Sequence, residues 1–356
     1  MNPELKQLLA RQGTARRSAT IPMREGAEPG YVSASAPLMG GAAQVTLAGP
    51  VGPGEPSTAG VEREARRVLL RIGAWADRLT RFTPSSELSR LNGDPRLAVP
   101  VGPTLAAVLD WGRAAEVLTG GIVDVAMLDA RLAAEAVDVT VARPTGTLAG
   151  TLHDARPSSG SRSWSFARGR RRTAVVRRPG VRFDLDGVAK GWIADRALDL
   201  VARGRTALVD ADGDIALVVQ PGERLEVAIA DPRTPGERLA VLALGADPAA
   251  APTRFGIATS GTSVHRWSRP SDVSTTSVPA HHLIDPSTGR PAEADVVQAT
   301  VLARSAREAE AFAKAAVIAG SAAALRLLDR DGVEGAVLLT EAGDVLALPS
   351  TSRWLS

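Results

Sequence analysis

Cysteine is absent from this 356-residue chain. Its absence excludes disulfide bonds, thiolate metal sites, a cysteine nucleophile and a lipid-modified N-terminal cysteine. Long apolar runs are missing as well, since none approaches the roughly 18 residues that cross a bilayer. Residues 1–17 also lack the apolar segment of about 7–15 residues found in a secretory signal. We therefore expect a cytoplasmic protein without a membrane anchor.

Lysine is almost absent too. Of the 42 basic residues 39 are arginine, and the lysines are Lys6, Lys190 and Lys314. Because arginine supplies the surface charge almost everywhere, each lysine is a candidate for a specific role. The net charge is only +3, so basicity alone does not indicate a polyanionic partner.

The pattern of apolar residues predicts a mixed fold. With 44% hydrophobic residues the chain can bury a substantial core. Helical spacing predicts helices over Val61–Phe82, Thr104–Leu118, Val188–Ala202 and Ser305–Ala319. Strands are predicted over Ala207–Val219, Leu225–Ile229, Leu239–Leu244, Ile257–Thr259 and Val296–Leu302. Since the order lacks a strict βαβ rhythm, an α+β class with antiparallel sheets is favoured. Residues 1–30 are predicted to form a flexible arm.

One segment, Asp184–Gly191, combines a strand end, a glycine turn and a helix with Lys190 in its first turn. The positive end of a helix dipole disfavours a cation. A lysine there is explained if the turn binds an anion such as a phosphate. The alternative is an ordinary turn with an exposed lysine.

A second group of candidates lies between residues 259 and 289. It contains Thr259-Ser260-Gly261 and the pair His281-His282. A histidine beside a binding site can act as a general base. A solvated loop without a chemical role explains the same residues equally well.

A third candidate is the helix with Glu310 and Lys314, four residues apart. This spacing is typical of an exposed ion pair worth about 0.2–0.5 kcal/mol. The flanking alanines favour instead a close approach of another backbone or of a ligand.

The segment Arg156–Arg182 holds nine arginines and no acidic residue, with Trp164 and Phe166 between them. Such a pattern can bind nucleic acid. A solvated sheet edge that resists aggregation is the more common reason for it, so we expect no nucleic-acid partner.

Taken together, these segments resemble the FAD:protein FMN transferase family, the ApbE-like proteins. The resemblance runs from about Leu38 to Leu346. It rests on short motifs in the family's order: Met39-Gly40-Gly41, Ser86–Asn92, Gly120–Asp124, Asp184–Gly191 with Asp195, Gly213-Asp214-Ile215, Thr259–Gly261, His282–Gly289 and Ala309–Gly320.

The resemblance implies a fold of two intertwined subdomains over residues 31–356. It implies an enzyme that binds FAD and, with magnesium, transfers the FMN half to a Ser or Thr hydroxyl of a target protein, releasing AMP. The positions that match flavin-nucleotide contacts are Met39, Phe82, Ile122, Val123, Asp124, Asp184, Lys190 and Ile284. His282 matches the family's histidine, a candidate for activating the acceptor hydroxyl, and Lys314 is the second catalytic candidate. Gly187, through its carbonyl, and Glu310 match metal-ligand positions.

The metal positions depart from the family's pattern, which has Asp and Thr where this chain has Glu310 and Lys314. A protonated lysine has no lone pair and cannot ligate Mg²⁺. Its ammonium group could take over part of the cation's role. The alternative is an FAD-binding protein that has lost the metal and with it most or all activity. The sequence does not identify the acceptor protein, nor does it decide between transfer and hydrolysis of FAD.

Overall fold

The structure, a computed structural model, describes residues 30–49, 57–136, 163–169, 172–201, 203–263, 266–270 and 277–356. The predicted arm, apart from Gly30, lies outside these ranges, as do residues 156–162 and 170–171 of the arginine-rich segment.

Within the described residues the main element is an eight-stranded antiparallel sheet, ordered β1-β2-β6-β7-β10-β15-β16-β17. Its strands are β1 (Tyr31–Leu38), β2 (Gly41–Ala48), β6 (Ala207–Ala211), β7 (Asp214–Val219), β10 (Thr253–Gly261), β15 (Val296–Ala303), β16 (Val333–Thr340) and β17 (Val345–Ala347). The antiparallel α+β class expected from the sequence is confirmed.

Smaller antiparallel units complete the described strands. One has the order β3-β5-β4, with β3 (Ala98–Val101), β4 (Trp164–Arg168) and β5 (Thr173–Arg177). The others are the pairs β8 (Arg224–Ala230) with β9 (Arg238–Gly245), β11 (Arg266–Pro270) with β12 (Ser277–His281), and β13 (Ile284–Asp285) with β14 (Arg290–Pro291).

The helices are α1 (Thr58–Leu79), α2 (Glu87–Gly93), α3 (Pro103–Leu118), α4 (Leu128–Ala136), α5 (Ala189–Leu198), α6 (Ala306–Ala319) and α7 (Ser321–Leu328), and a 3₁₀ helix covers Pro349–Trp354. The long helices predicted from spacing are confirmed, although α1 ends at Leu79 rather than at Phe82 and α5 ends at Leu198 rather than at Ala202. No helix in the described ranges is both long and apolar enough to cross a membrane.

The sheet has a different cover on each face. Helices α1, α5 and α6 pack against its strands, and their apolar residues form the larger core clusters. The hairpin β8–β9 covers the opposite face, where Leu225 and Leu242 pack with Leu217 and Phe255. The sheet is thus the middle layer, and its strand ends remain available for a site.

The predicted strand Ala207–Val219 is wrong in one respect, because it is a hairpin. The chain reverses at Asp212-Gly213, and Ala211 pairs with Asp214. Both turn residues have positive φ, 60° and 93°, as a two-residue type I′ turn requires. The division into two subdomains is not tested by these features and stays a prediction.

Candidate functional site

Two tight turns meet at one end of the main sheet. Met39-Gly40 joins β1 to β2 and Asp212-Gly213 joins β6 to β7, with positive φ at all four residues. Because β2 pairs with β6, the turns are neighbours, and the Asp212 side chain lies over Gly41. Positive φ at non-glycine residues such as Met39 and Asp212 is uncommon and concentrates at functional sites.

A cleft opens at this end and has two compartments. The small compartment, of about 300 Å³, is lined by polar groups that include Asp214, Thr259, His282 and Lys314. The large compartment, of about 760 Å³, lies between α1 and the turn that precedes α5. Met39, Asp186 and Lys190 line both compartments, so the two adjoin.

Helices α5 and α6 fix the lysines by capping each other. Glu310 of α6 accepts a hydrogen bond from Gly191 N–H of α5 at 3.0 Å. Asp195 of α5 accepts from the first N–H groups of α6, those of Ala306 and Arg307, at 3.0 and 3.1 Å. Both carboxyl groups satisfy N–H groups that have no partner within their own helix. The crossing is tight, since a β-carbon at Gly191 would lie 2.7 Å from Arg307 Cα.

Lys190 interacts with two acidic residues of the β6–β7 hairpin, Asp212 and Asp214. Its ammonium donates to the Asp212 carbonyl at 3.2 Å and lies 3.6 Å from Asp214 Oδ2. The charge of Asp214, followed by smaller contributions from other carboxylates, raises the pKa of Lys190. Much of the positive charge of Lys190 is therefore balanced inside the protein.

Asp214 and Glu310 form a buried carboxyl pair next to Lys190. Asp214 Oδ2 and Glu310 Oε1 have no hydrogen-bond partner in the part of the chain that the structure describes. Burial raises the pKa of Asp214 to about 6 and raises the pKa of Glu310 well above its ordinary value. Ionising both carboxyl groups costs free energy, because burial disfavours each charge and the two negative charges repel each other.

Lys314 differs from Lys190 in having no partner among the residues that the structure describes. Its side chain lines the small compartment and lies against Gly187, where an added β-carbon would be 2.5 Å from Lys314 Cδ. The i,i+4 ion pair with Glu310 considered from the sequence is not formed, because Glu310 turns to Gly191. No described residue gives Lys314 a hydrogen bond or an ion pair.

The turn before α5 carries two acidic residues. Asp184 lines the large compartment, and its Oδ1 accepts from Asp186 N–H at 3.1 Å. Burial, followed by the neighbouring charge of Asp186, raises the pKa of Asp184. Burial opposes ionisation of the partly exposed Asp186, but nearby positive charges, first that of Lys314, lower its pKa to about 2.

The motif Ser86–Asn92 supports this turn from behind. Ser86 caps α2 by accepting from Ser89 N–H at 2.9 Å. The Asn92 amide donates to the Phe183 carbonyl and accepts from the Phe183 N–H, both at 2.8 Å. Asp184 follows directly, so the motif has a scaffold role.

The two neighbouring histidines have different environments. His281 bonds with the Ala292 carbonyl at 3.0 Å and accepts from Leu283 N–H, so it organises its own loop. His282 lines the small compartment. The buried Arg131 donates to the His282 carbonyl at 2.7 Å and lies 3.6 Å from Asp186 Oδ2. Arg131 therefore ties the histidine loop to the acidic turn.

Phe82 stands at the rim of the large compartment. Its side chain is 77% exposed, and the Arg81 guanidinium lies 4.2 Å from the ring centroid. A second ring system could stack on the free face.

Four of the expected flavin contacts are not among the described residues that line the cleft. Val123 is buried, Ile122 packs against two core clusters and Ile284 packs against Met127. Asp124 accepts from Ala126 N–H at 2.8 Å. These positions support the cleft walls in the structure, and their direct contact with flavin stays a prediction.

Sequence reasoning missed several groups in the cleft. Asp186 and Asp214 were included only as parts of motifs, and neither Asp212 nor Arg131 was among the candidates. The signal for Asp212 was the Asp-Gly pair itself, which is typical of a type I′ turn. Arg131 gave no local signal for its place in the cleft, because its contact with His282 spans 151 residues of chain.

The residues at the expected metal position do not suit Mg²⁺. That ion requires nearly octahedral oxygen ligands. Here the unpaired ammonium of Lys314 lies beside Gly187, and the Glu310 carboxyl is turned to Gly191 and Asp214. Across the described ranges there is no group of three or more His, Asp or Glu side chains that could hold a metal.

Comparison with known proteins gives consistent matches. A family model described as the ApbE family matches residues 39–337. The FAD:protein FMN transferase of Treponema pallidum (strain Nichols) is 32% identical over 160 residues, which are 42% of this chain and 41% of that relative. The chain thus matches less than half the length of this curated relative.

Solved structures match along nearly the whole chain. The flavin transferase ApbE from Vibrio cholerae has a TM-score of 0.65 at 22% identity, covering 92% of this chain and 99% of its own. The ApbE protein from Thermotoga maritima has a TM-score of 0.72 at 21% identity, covering 92% and 100%. These two likenesses show the fold, and the family model covers most of the sequence. The chain belongs to the ApbE family.

Proposed function

We propose that this protein binds FAD in the cleft and transfers the FMN half to a Ser or Thr hydroxyl of an acceptor protein, releasing AMP. The observation that carries the proposal is the pair of adjoining compartments. The large one offers apolar walls and the exposed ring of Phe82, while the small one gathers His282 and Lys314. A dinucleotide such as FAD likewise combines flat ring systems, which suit the large compartment, with a charged diphosphate, which suits the small one.

The proposed reaction is a displacement at phosphorus. The acceptor oxygen forms a bond to the phosphorus of the FMN half, and the bond from that phosphorus to the bridging oxygen breaks. AMP leaves with the bridging oxygen, and the hydroxyl proton passes to His282. Such a reaction depends on positioning and on stabilisation of charge in the transition state.

The geometry supports the role proposed for each residue. His282 lines the same compartment as Lys314, so a base and a cation face one space. Arg131 holds the backbone of His282 at a fixed distance from the acidic turn. Lys190, whose charge is already balanced, would orient the nucleotide rather than supply a free charge.

The experiment combines FAD with purified protein and a panel of Ser- or Thr-containing acceptor peptides. We expect AMP in the solution and a peptide heavier by one FMN less one water. The H282N variant should keep FAD affinity within about threefold and lose most AMP release, because a general base contributes about 10²–10⁴-fold.

A second candidate is an FAD-binding protein without turnover, which the poor metal ligands favour. It predicts saturable FAD binding and no AMP with any acceptor or divalent ion. Release of FMN and AMP without a labelled peptide would show hydrolysis, with water as the acceptor. The cytoplasmic location of the protein stays a prediction.

A further inference from the structure

The free ammonium group of Lys314 is the unusual feature of this cleft. A partly buried cation normally has a carboxylate or carbonyl partner. Lys190, one helix away, follows that rule through Asp212 and Asp214. Lys314 has no such partner among the described residues, and it lines the small compartment. An ammonium group in this position can donate hydrogen bonds to an anion that enters the cleft.

Charged groups face the two adjoining compartments of the cleft from several elements. Asp184 and Asp186 come from the turn before α5, Lys190 from α5 itself, and Glu310 from α6. The remaining ones are Asp212 and Asp214 at the β6–β7 turn, His282 of the loop after β12, and Arg131 of α4. Glu310 accepts from Gly191 N–H, Asp214 lies beside Lys190, and Asp186 lies 3.6 Å from Arg131 while also near the charge of Lys314. Because Lys314 forms no hydrogen bond or ion pair with the described residues, its ammonium group can bind an entering phosphate.

The ammonium also stands where a cation would be needed. It lies against Gly187, whose carbonyl was expected to ligate the metal, and on the same helix as Glu310. An ammonium offers three donors and no acceptor, so it repels a divalent cation and binds phosphate oxygens directly.

We propose that Lys314 replaces the divalent cation, so that this protein binds the diphosphate of FAD, and breaks it, without a metal ion. The inference rests on the proposed function. In the displacement described above, Lys314 donates hydrogen bonds to diphosphate oxygens as negative charge develops on the departing AMP phosphate. No electron donor or metal enters the balance, since FAD and the acceptor hydroxyl give the flavinylated acceptor and AMP.

The test measures FAD binding to the full chain by calorimetry, with EDTA and separately with Mg²⁺. We expect dissociation constants equal within about threefold in the two conditions, and substoichiometric metal in the purified protein by elemental mass spectrometry. K314Q, measured in EDTA, should weaken FAD binding about tenfold or more, because it removes a charge-assisted hydrogen bond. R326Q removes a cation from an exposed position on α7 and should leave the affinity unchanged.

A second variant addresses the metal itself. The double change E310D with K314T restores the residue types usual in the family. We expect it to make FAD binding depend on Mg²⁺ and sensitive to EDTA.

Three outcomes overturn the proposal. They are stoichiometric metal in the native protein, FAD binding that EDTA abolishes and Mg²⁺ restores, and K314Q binding FAD as tightly as the native chain. In these cases the proposed flavin transfer still stands, with a metal or another residue in this role. If FAD binds under no condition, the proposed function fails together with this inference.

Discussion

The side chain of Lys314 lies directly over Gly187, so that a β-carbon at position 187 would come within 2.7 Å of Lys314 Cε. The two residues are 127 positions apart in sequence, yet only a glycine leaves room for the ammonium in the small compartment. This contact places the free positive charge of the cleft beside the turn that opens α5.

The first prediction follows from this contact. G187A should displace Lys314 and weaken FAD binding by about tenfold, since a misplaced charge loses its hydrogen bonds to the ligand. The affinity is measured by calorimetry, with thermal unfolding measured in parallel. G93A is the matched control, because a β-carbon at Gly93 meets no atom within 4 Å. Equal affinities for the two variants would contradict the role given to this contact.

The second prediction concerns Arg131, which joins the His282 backbone to Asp186 and to Glu135. R131K keeps the charge and loses the planar fork that makes several bonds at once. We expect the rate of AMP release to fall about 10- to 100-fold, since small displacements of a catalytic group are costly. FAD affinity should change less than the rate. A change in affinity alone would argue against this positioning role.

The third prediction concerns the exposed ring of Phe82. F82A should weaken FAD binding about three- to tenfold, because aromatic stacking contributes about 0.5–1.5 kcal/mol. The melting temperature should stay the same, since the ring is 77% exposed. F82Y should bind like the native protein. L70A removes another exposed apolar side chain, 76% exposed and on α1, and serves as the control.

The fourth prediction is a pH dependence of stability. Burial raises the pKa of Glu310 well above its ordinary value and raises that of Asp214 to about 6. Between about pH 4 and 6 the folded state therefore holds protons that the unfolded chain has released. This pair stabilises the fold most at the acidic end of that range, and its contribution falls as the pH rises.

E310Q should flatten this dependence, because glutamine does not ionise and still accepts from Gly191 N–H. Urea unfolding at pH 4.5 and at pH 7 gives the difference between variant and native protein. We expect this difference to favour the variant more at pH 7 than at pH 4.5. E226Q, on β8, is the control. A difference that is the same at both pH values would contradict the prediction.

The fifth prediction concerns the reciprocal capping of α5 and α6. D195A removes the carboxylate that accepts from Ala306 and Arg307. We expect a loss of about 1–2 kcal/mol in the free energy of unfolding, as for other helix caps. D199A breaks exposed ion pairs at the end of α5 and should cost under about 1 kcal/mol. Similar losses in both variants would mean that Asp195 adds no more than a surface charge.

The sequence predicted what depends on local periodicity. Helices α1, α3 and α6 follow from apolar spacing, and Ser305 caps α6 by accepting from Glu308 N–H at 3.4 Å. The antiparallel class followed from the order of the elements.

The partners of the charged residues in the cleft could not be predicted from the sequence, because they come from distant segments of the chain. The spacing of Glu310 and Lys314 favoured two readings, and neither included Gly191 as the partner of Glu310, which is 119 positions away. Lys190 was expected to be the phosphate-binding lysine, yet Asp214 and Asp212 already engage it. The three-dimensional structure was needed to see that Lys190 has acidic partners and that Lys314 has none among the described residues.

The most direct test is a crystal structure of the protein with FAD, grown from metal-free protein in the presence of EDTA. The account predicts the diphosphate in the small compartment, with a phosphate oxygen at about 2.8 Å from Lys314 Nζ and no metal beside Gly187. A diphosphate bound away from Lys314, or failure to obtain FAD in the cleft unless Mg²⁺ is added, would contradict it.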